Sequence, residues 1–180
     1  SLFKALLQLL SKNRHKNGGY IVHIGITLLF VGFVGRAFEV EKEFVLSPGE
    51  TIYFANHVFR LNNVTSEERD NHYAFISDMD ILDANNSNAY ITTLYPEKRI
   101  YFHRNPDPEK RQPHSELDIY RTMSKDIYSI FSSYDAQKNE AYFKIMINPL
   151  VNWVWIGGIV IIFGALFAFW PSSRRDYGTI

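Results

Sequence analysis

Two long apolar blocks stand near the ends of this chain, and between them apolar and polar residues alternate in short runs. The first block runs from Tyr20 to Phe38 and is broken only by His23 and Arg36. The second runs from Leu150 to Trp170 and contains no charge. Each approaches the ~20 residues needed to cross a hydrocarbon core ~30 Å thick, so two transmembrane helices are predicted. Asn148 is expected to cap the second helix, with Pro149 at its first position. Trp153 and Trp155 at one end and Trp170 at the other suit interfacial anchors. Gly18, Gly25 and Gly32 recur at seven-residue spacing in the first block, and Gly157 and Gly164 in the second. Each set lies along one helix face and would let a neighbouring helix come close.

The middle is punctuated like an all-β module. Strands are predicted near Val40–Leu46, Thr51–Ala55, Val58–Val64, Tyr73–Ile81, Ala89–Leu94, Arg99–His103, Glu116–Arg121, Asp126–Phe131 and Ala141–Met146. Ser47-Pro48-Gly49-Glu50, Asn85-Asn86-Ser87-Asn88 and Asn105-Pro106-Asp107-Pro108 supply turn chemistry between them. This many short strands in about 110 residues points to a sandwich or small barrel. The predicted fold class is therefore a membrane protein in which two transmembrane α-helices flank an extracytoplasmic all-β domain.

Charge supplies the orientation. Lys4, Lys12, Arg14 and Lys16 precede the first block with no acidic residue among them, and Arg174 and Arg175 follow the second. The positive-inside rule puts both ends in the cytoplasm and the connecting segment outside it. The expected division is a cytoplasmic segment over 1–19, a span over 20–38, a periplasmic β domain over 39–147, a second span over 148–170 and a cytoplasmic tail over 171–180. The opening Leu2–Lys12 stretch reads as a surface-lying amphipathic helix or the tail of a preceding loop. With Ser rather than Met at position 1 and no signal peptide, an excerpt or a split subunit is expected.

Composition narrows the chemistry. The chain has no cysteine. Disulfides, thiolate metal sites, iron–sulfur ligation and a cysteine nucleophile are excluded, as is covalent c-type heme attachment. Net charge is zero, so nothing points to nucleic acid. No phosphate-binding glycine loop, zincin motif or nucleophile elbow is present.

That leaves His23, about one helical turn inside the cytoplasmic end of the first span. An ionisable group within a membrane helix is a functional candidate because burying it unpaired in hydrocarbon is expensive. Neutral imidazole is a common axial ligand to heme iron. The alternative is a histidine hydrogen-bonded to a neighbouring helix near the interface. His15 belongs with the basic cytoplasmic residues around it. His57, His72, His103 and His114 fall in the β domain without metal-ligand spacing. Glu109-Lys110-Arg111-Gln112 reads as a loop, with partner docking as its alternative.

Three stretches, Asn13 to Ala37, Glu41 to Glu50 and Asn148 to Pro171, together resemble the C-terminal part of CcmF-type cytochrome c heme lyases. The combination of a GGYIVH segment with an NPLVNW segment opening the last helix carries the resemblance. The resemblance implies a many-helix membrane protein of the bacterial inner membrane that serves c-type cytochrome maturation. It implies a heme b held between two transmembrane histidines, of which one maps onto His23 as an axial ligand to the heme iron. An interhelical heme would use the glycine face for close approach. Implied partners are the remainder of the lyase polypeptide, a heme chaperone, apocytochrome c and its thiol-reducing subunit. The tryptophan-rich segment that cradles substrate heme, its flanking histidines and the second heme b histidine are absent from these residues. The expectation is one portion of a heme lyase. The alternative is a periplasmic docking or scaffold module without a direct heme role.

Overall fold

The computed structural model describes residues 13–102 and 112–170. It divides into a helical unit and a β unit, the latter spanning Phe38–Pro149.

In the helical unit, α1 covers Arg14–Gly35 and runs into a 3₁₀ turn at Arg36–Phe38. Helix α2 covers Val151–Phe169. Both are long and apolar enough to cross a membrane. They pack antiparallel along the glycine seam. A Cβ placed on Gly25 would lie 2.8 Å from the Gly157 carbonyl oxygen, and one on Gly157 would lie 2.7 Å from the Gly25 carbonyl oxygen. One heptad away, Gly18 meets Gly164 and Ala168; a heptad the other way, Gly32 meets Val154 and the Leu150 carbonyl. The neighbour that the glycines admit is thus the other helix of the same chain. With no side chain on these positions the two helix backbones approach closely.

The β unit is a sandwich. Strands β1 (Val40–Leu46), β10 (Glu140–Pro149), β9 (Lys125–Asp135) and β8 (Asp118–Arg121) form one antiparallel sheet in that order. The second sheet holds β2 (Thr51–Phe54), β3 (His57–Arg69), β4 (His72–Asp83), β6 (Glu97–Tyr101) and β7 (His114–Glu116). Strand β5 (Ala89–Leu94) pairs with the second half of β4, and β6 pairs with its first half. The break between them falls at Pro96, which has no N–H to give a ladder. Its carbonyl instead accepts from the Ser77 backbone N–H at 3.1 Å and the Ser77 hydroxyl at 3.2 Å.

Alternation drives this layering. In β9 and β10 alternate residues turn inward: Ile127, Ser129 and Phe131 on one, Ala141, Phe143, Ile145 and Ile147 on the other, all buried. They meet Phe59, Leu61, Met79 and Ile81 from the second sheet. Phe131 and Phe143 stack at the centre with ring centroids 5.1 Å apart. An extra residue, Ser132, interrupts their strands' register between Tyr142/Ser133 and Phe143/Phe131. Such a bulge re-aims side chains and keeps inward positions inward on both sides of it.

Three expectations need correction. The segment Glu116–Arg121 is not one strand. Leu117 separates β7 from β8, and the two strands belong to different sheets. Asn148 and Pro149 do not open α2. Both are still paired in β10, with Asp126 and Lys125, and the N-cap is Leu150 in the left-handed region at φ 62° with no side-chain cap. Sheet pairing holds Asn148 extended, so its side chain cannot serve the helix. Finally, the strand placed at Arg99–His103 lies at Glu97–Tyr101, and His103 itself falls outside the described residues.

Candidate ligand site on the first helix

Helix α1 has two faces of opposite use. At about 100° per residue, Gly18, Gly25 and Gly32 share a face while His23 lies about 160° away from it. Gly18, Gly25 and Gly32 are buried against α2, whereas His23 is exposed on the far side with Tyr20, Thr27 and Phe30. The seam has no room for a prosthetic group: a Cβ on Gly25 would already sit 2.7 Å from the Ile161 side chain. This corrects the expectation that a heme would use the glycine face. The imidazole is presented outward, away from α2.

The ring is held by its own helix. Nδ1 of His23 lies 2.7 Å from the carbonyl oxygen of Gly19, one turn earlier. That oxygen can only accept, so Nδ1 carries the proton and donates it. The neutral ring then presents Nε2 as its lone-pair nitrogen, which makes no hydrogen bond among the described residues. The Thr27 hydroxyl is turned back onto the His23 carbonyl at 2.9 Å, which removes it as a competing partner. A carbonyl that fixes tautomer and ring orientation through the far nitrogen is how metal-bound histidines are commonly supported. The donor set therefore fits an axial ligand to heme iron.

The other histidines have structural settings. His15 is exposed near the start of α1. His57 is buried, donates from Nδ1 to the Ala55 carbonyl at 2.7 Å and receives the Lys125 ammonium on Nε2 at 2.9 Å. Burial first, and then the Lys125 cation, hold its pKa below the ordinary value, against the Ala55 bond and Asp83. His72 is buried beside Tyr101, with ring centroids 5.1 Å apart, and its Nδ1 lies 2.6 Å from the Asn71 side-chain oxygen. His114 lies edge-on to the same Tyr101 ring at 5.8 Å. No group of three or more metal-ligating side chains occurs among the described residues. His103 and the Glu109–Arg111 part of the predicted docking loop lie outside them.

Sequence reasoning missed two things here. It found the glycine heptads but did not assign their partner, although the matching seven-residue steps in both blocks would pair in an antiparallel arrangement. It also passed over Gly19, whose signal was the doublet Gly18-Gly19: only one of two adjacent helical residues can face the seam.

These features define a class: a two-sheet β-sandwich following one apolar helix and preceding another, with an imidazole on the free face of the first. A family model described as the CcmF C-terminal beta-sandwich matches residues 37–149. The chain belongs to that family. It is 24% identical over 174 residues to the cytochrome c-type biogenesis protein CcmF of Pseudomonas aeruginosa, covering 88% of this chain and 25% of that one. It is 28% identical over 150 residues to the cytochrome c-type biogenesis protein ccl1 of Rhodobacter capsulatus, covering 82% of this chain and 21% of the other. A solved structure titled cytochrome c heme lyase CcmF shares the fold with a TM-score of 0.68 at 17% identity, over 89% of this chain and 26% of that chain. The chain thus spans about a quarter of the length of the curated relatives it matches.

Proposed function

We propose that this chain serves c-type cytochrome maturation as the C-terminal portion of a heme lyase, and that His23 supplies one axial ligand to a heme b bound on the outer face of α1. The observation that carries this is the His23 ring itself, with Nδ1 committed to the Gly19 carbonyl at 2.7 Å and Nε2 free on the face away from α2. The heme iron, when bound, supplies reversible one-electron transfer. The chain's own residues orient the imidazole through Nδ1 and present Nε2 outward. Helix α2 covers only the seam and carries no histidine, so it would offer no second ligand to a group held there.

The two helices are proposed to span the bacterial inner membrane, with the sandwich in the periplasm and both ends cytoplasmic. The division is the one expected from the sequence: segments 1–19 and 171–180 cytoplasmic, 20–38 and 148–170 in the membrane, 39–147 outside. Basic residues beside both spans and the length of the apolar helices support it. The remainder of the lyase, a heme chaperone, apocytochrome c and its thiol-reducing subunit are the proposed partners. The relatives' printed names, which concern cytochrome c-type biogenesis and heme lyase, support this assignment.

The test is a reduced-minus-oxidised absorption spectrum of the purified membrane complex, wild type against His23→Ala at matched protein. Loss of the heme b band from an assembled complex is the expected result. An unchanged band would remove His23 from the heme and leave the alternative reading, a docking or scaffold module built on the sandwich.

A further inference from the structure

Gly18 and Gly19 are neighbours with different surroundings. A Cβ on Gly18 would meet Ala168 at 2.5 Å and the Gly164 carbonyl oxygen at 2.8 Å, so packing against α2 accounts for that glycine. A Cβ on Gly19 would meet nothing within 4 Å outside its own stretch of helix. No contact among the described residues requires a glycine there, and in a helix interior glycine costs about 0.5–1 kcal/mol relative to alanine. Gly19 sits one turn before His23 and about 40° from it around the helix, on the side away from the seam. Its carbonyl is the one that holds the imidazole. The helix surface one full turn before the imidazole is thus bare of side chain at Gly19, while Tyr20 stands beside it on the same outward face.

We infer that Gly19 is a positioning residue for the heme of the proposed His23 site: its carbonyl orients the imidazole, and its missing side chain leaves the space in which the edge of the macrocycle lies against α1. This rests on the reading of His23 as an axial ligand. A porphyrin ligated through Nε2 extends several ångströms from the iron in every direction in its plane. With its plane turned along α1, its edge would come over the helix surface about one turn from the histidine. A glycine there lets the ring settle without forcing the imidazole off the rotamer that the Nδ1 hydrogen bond selects.

The test exploits the fact that every substitution at position 19 keeps the carbonyl. A series Gly19→Ala, Gly19→Val and Gly19→Leu in the assembled complex changes side-chain volume alone, while the hydrogen bond to Nδ1 stays available. Alanine and leucine are also better helix formers than glycine, so loss of the helix is not expected to confuse the result. The expected outcome is graded. Alanine shifts the heme b reduction potential and the low-spin ferric resonance pattern while heme content is kept; leucine reduces heme content about tenfold or more, the scale of overpacking a filled site. Unaltered heme content, potential and resonance pattern in Gly19→Leu would overturn the inference while leaving the His23 reading intact. Retention of the heme b band in His23→Ala would instead overturn the reading on which it rests.

Discussion

The ammonium of Lys125 donates to Nε2 of His57 at 2.9 Å, while Nδ1 of the same ring donates to the Ala55 carbonyl. Both ring nitrogens are therefore engaged only when His57 is neutral. Burial and the adjacent cation lower its pKa from 6.5, and burial also lowers that of Lys125. The unfolded chain binds more protons than the folded one between the lowered His57 pKa and about 6.5, so stability rises with pH across that window. The contribution is present above about pH 6.5 and is lost as pH falls through the folded value. Thermal melts of the full chain in detergent, followed by the β signal in far-UV circular dichroism, should give a midpoint that falls on acidification from pH 7.5 to 5. Removing the titrating group in His57→Gln should flatten that dependence. A slope unchanged by the substitution would assign it to other groups.

The helix seam has a matched control built in. At Gly157 a Cβ would lie 2.7 Å from both the Gly25 carbonyl oxygen and the Leu29 backbone nitrogen, yet at adjacent Gly158 it would meet nothing within 4 Å. Gly157→Leu should therefore separate α1 from α2 while Gly158→Leu should not. Because the chain has no cysteine, a cysteine pair placed across the seam reports the separation directly. Crosslinking yield should fall for Gly157→Leu, at a cost of about 1–3 kcal/mol or more in helix association, and stay at the parent level for Gly158→Leu.

Asp80 anchors the outer face of the second sheet. Its carboxylate accepts from the Arg60 guanidinium at 2.5 Å and from the Thr93 hydroxyl at 2.6 Å, joining β3, β4 and β5. Burial alone would raise its pKa, but the bonds from Thr93 and Arg60 outweigh that and hold it below the ordinary value. Asp80→Ala leaves Thr93 and Arg60 without their acceptor and should destabilise the sandwich by about 1–3 kcal/mol in urea unfolding. Asp80→Asn, which keeps one acceptor oxygen, should lose less. Equal losses would show that the charge rather than the hydrogen-bond geometry carries the effect.

The sandwich was legible because β residues announce themselves locally. Val40–Leu46 and Ala89–Leu94 are strands with the predicted bounds, since Ser47–Glu50 and Asn85–Asn88 mark their ends by turn chemistry that acts within a few residues. What was misread depended on tertiary pairing. The ends of β3 and β10 extend past the apolar run because a partner strand continues opposite polar residues such as Ser66, Glu67 and Asn148. Leu117 breaks a stretch of strand-like composition because Glu116 and Asp118 pair into different sheets. At the candidate site, His23 stood out as a titratable group in an apolar run. Which face it occupies became readable only when the glycine heptads were matched to their partner helix. Gly19, with no side chain to carry chemistry, leaves no mark beyond the doublet.

Membrane orientation can be read without disturbing any native thiol, since none exists. Asn88 lies in the exposed turn between β4 and β5, and His15 is exposed near the start of α1. Lys4 and Lys12 precede α1 and Arg14 and Lys16 stand in its first turn; in the proposed topology the positive-inside rule keeps this basic end in the cytoplasm. In that topology a span of α1's length would carry the chain across, and a segment as long as the sandwich would translocate largely regardless of its own charge. Asn88→Cys should accordingly react with a membrane-impermeant maleimide in intact spheroplasts, and His15→Cys should react only after the membrane is permeabilised. Labelling of both positions in intact spheroplasts would mean that α1 does not cross. Labelling of position 15 alone would invert the topology, placing the sandwich in the cytoplasm and out of reach of a periplasmic apocytochrome.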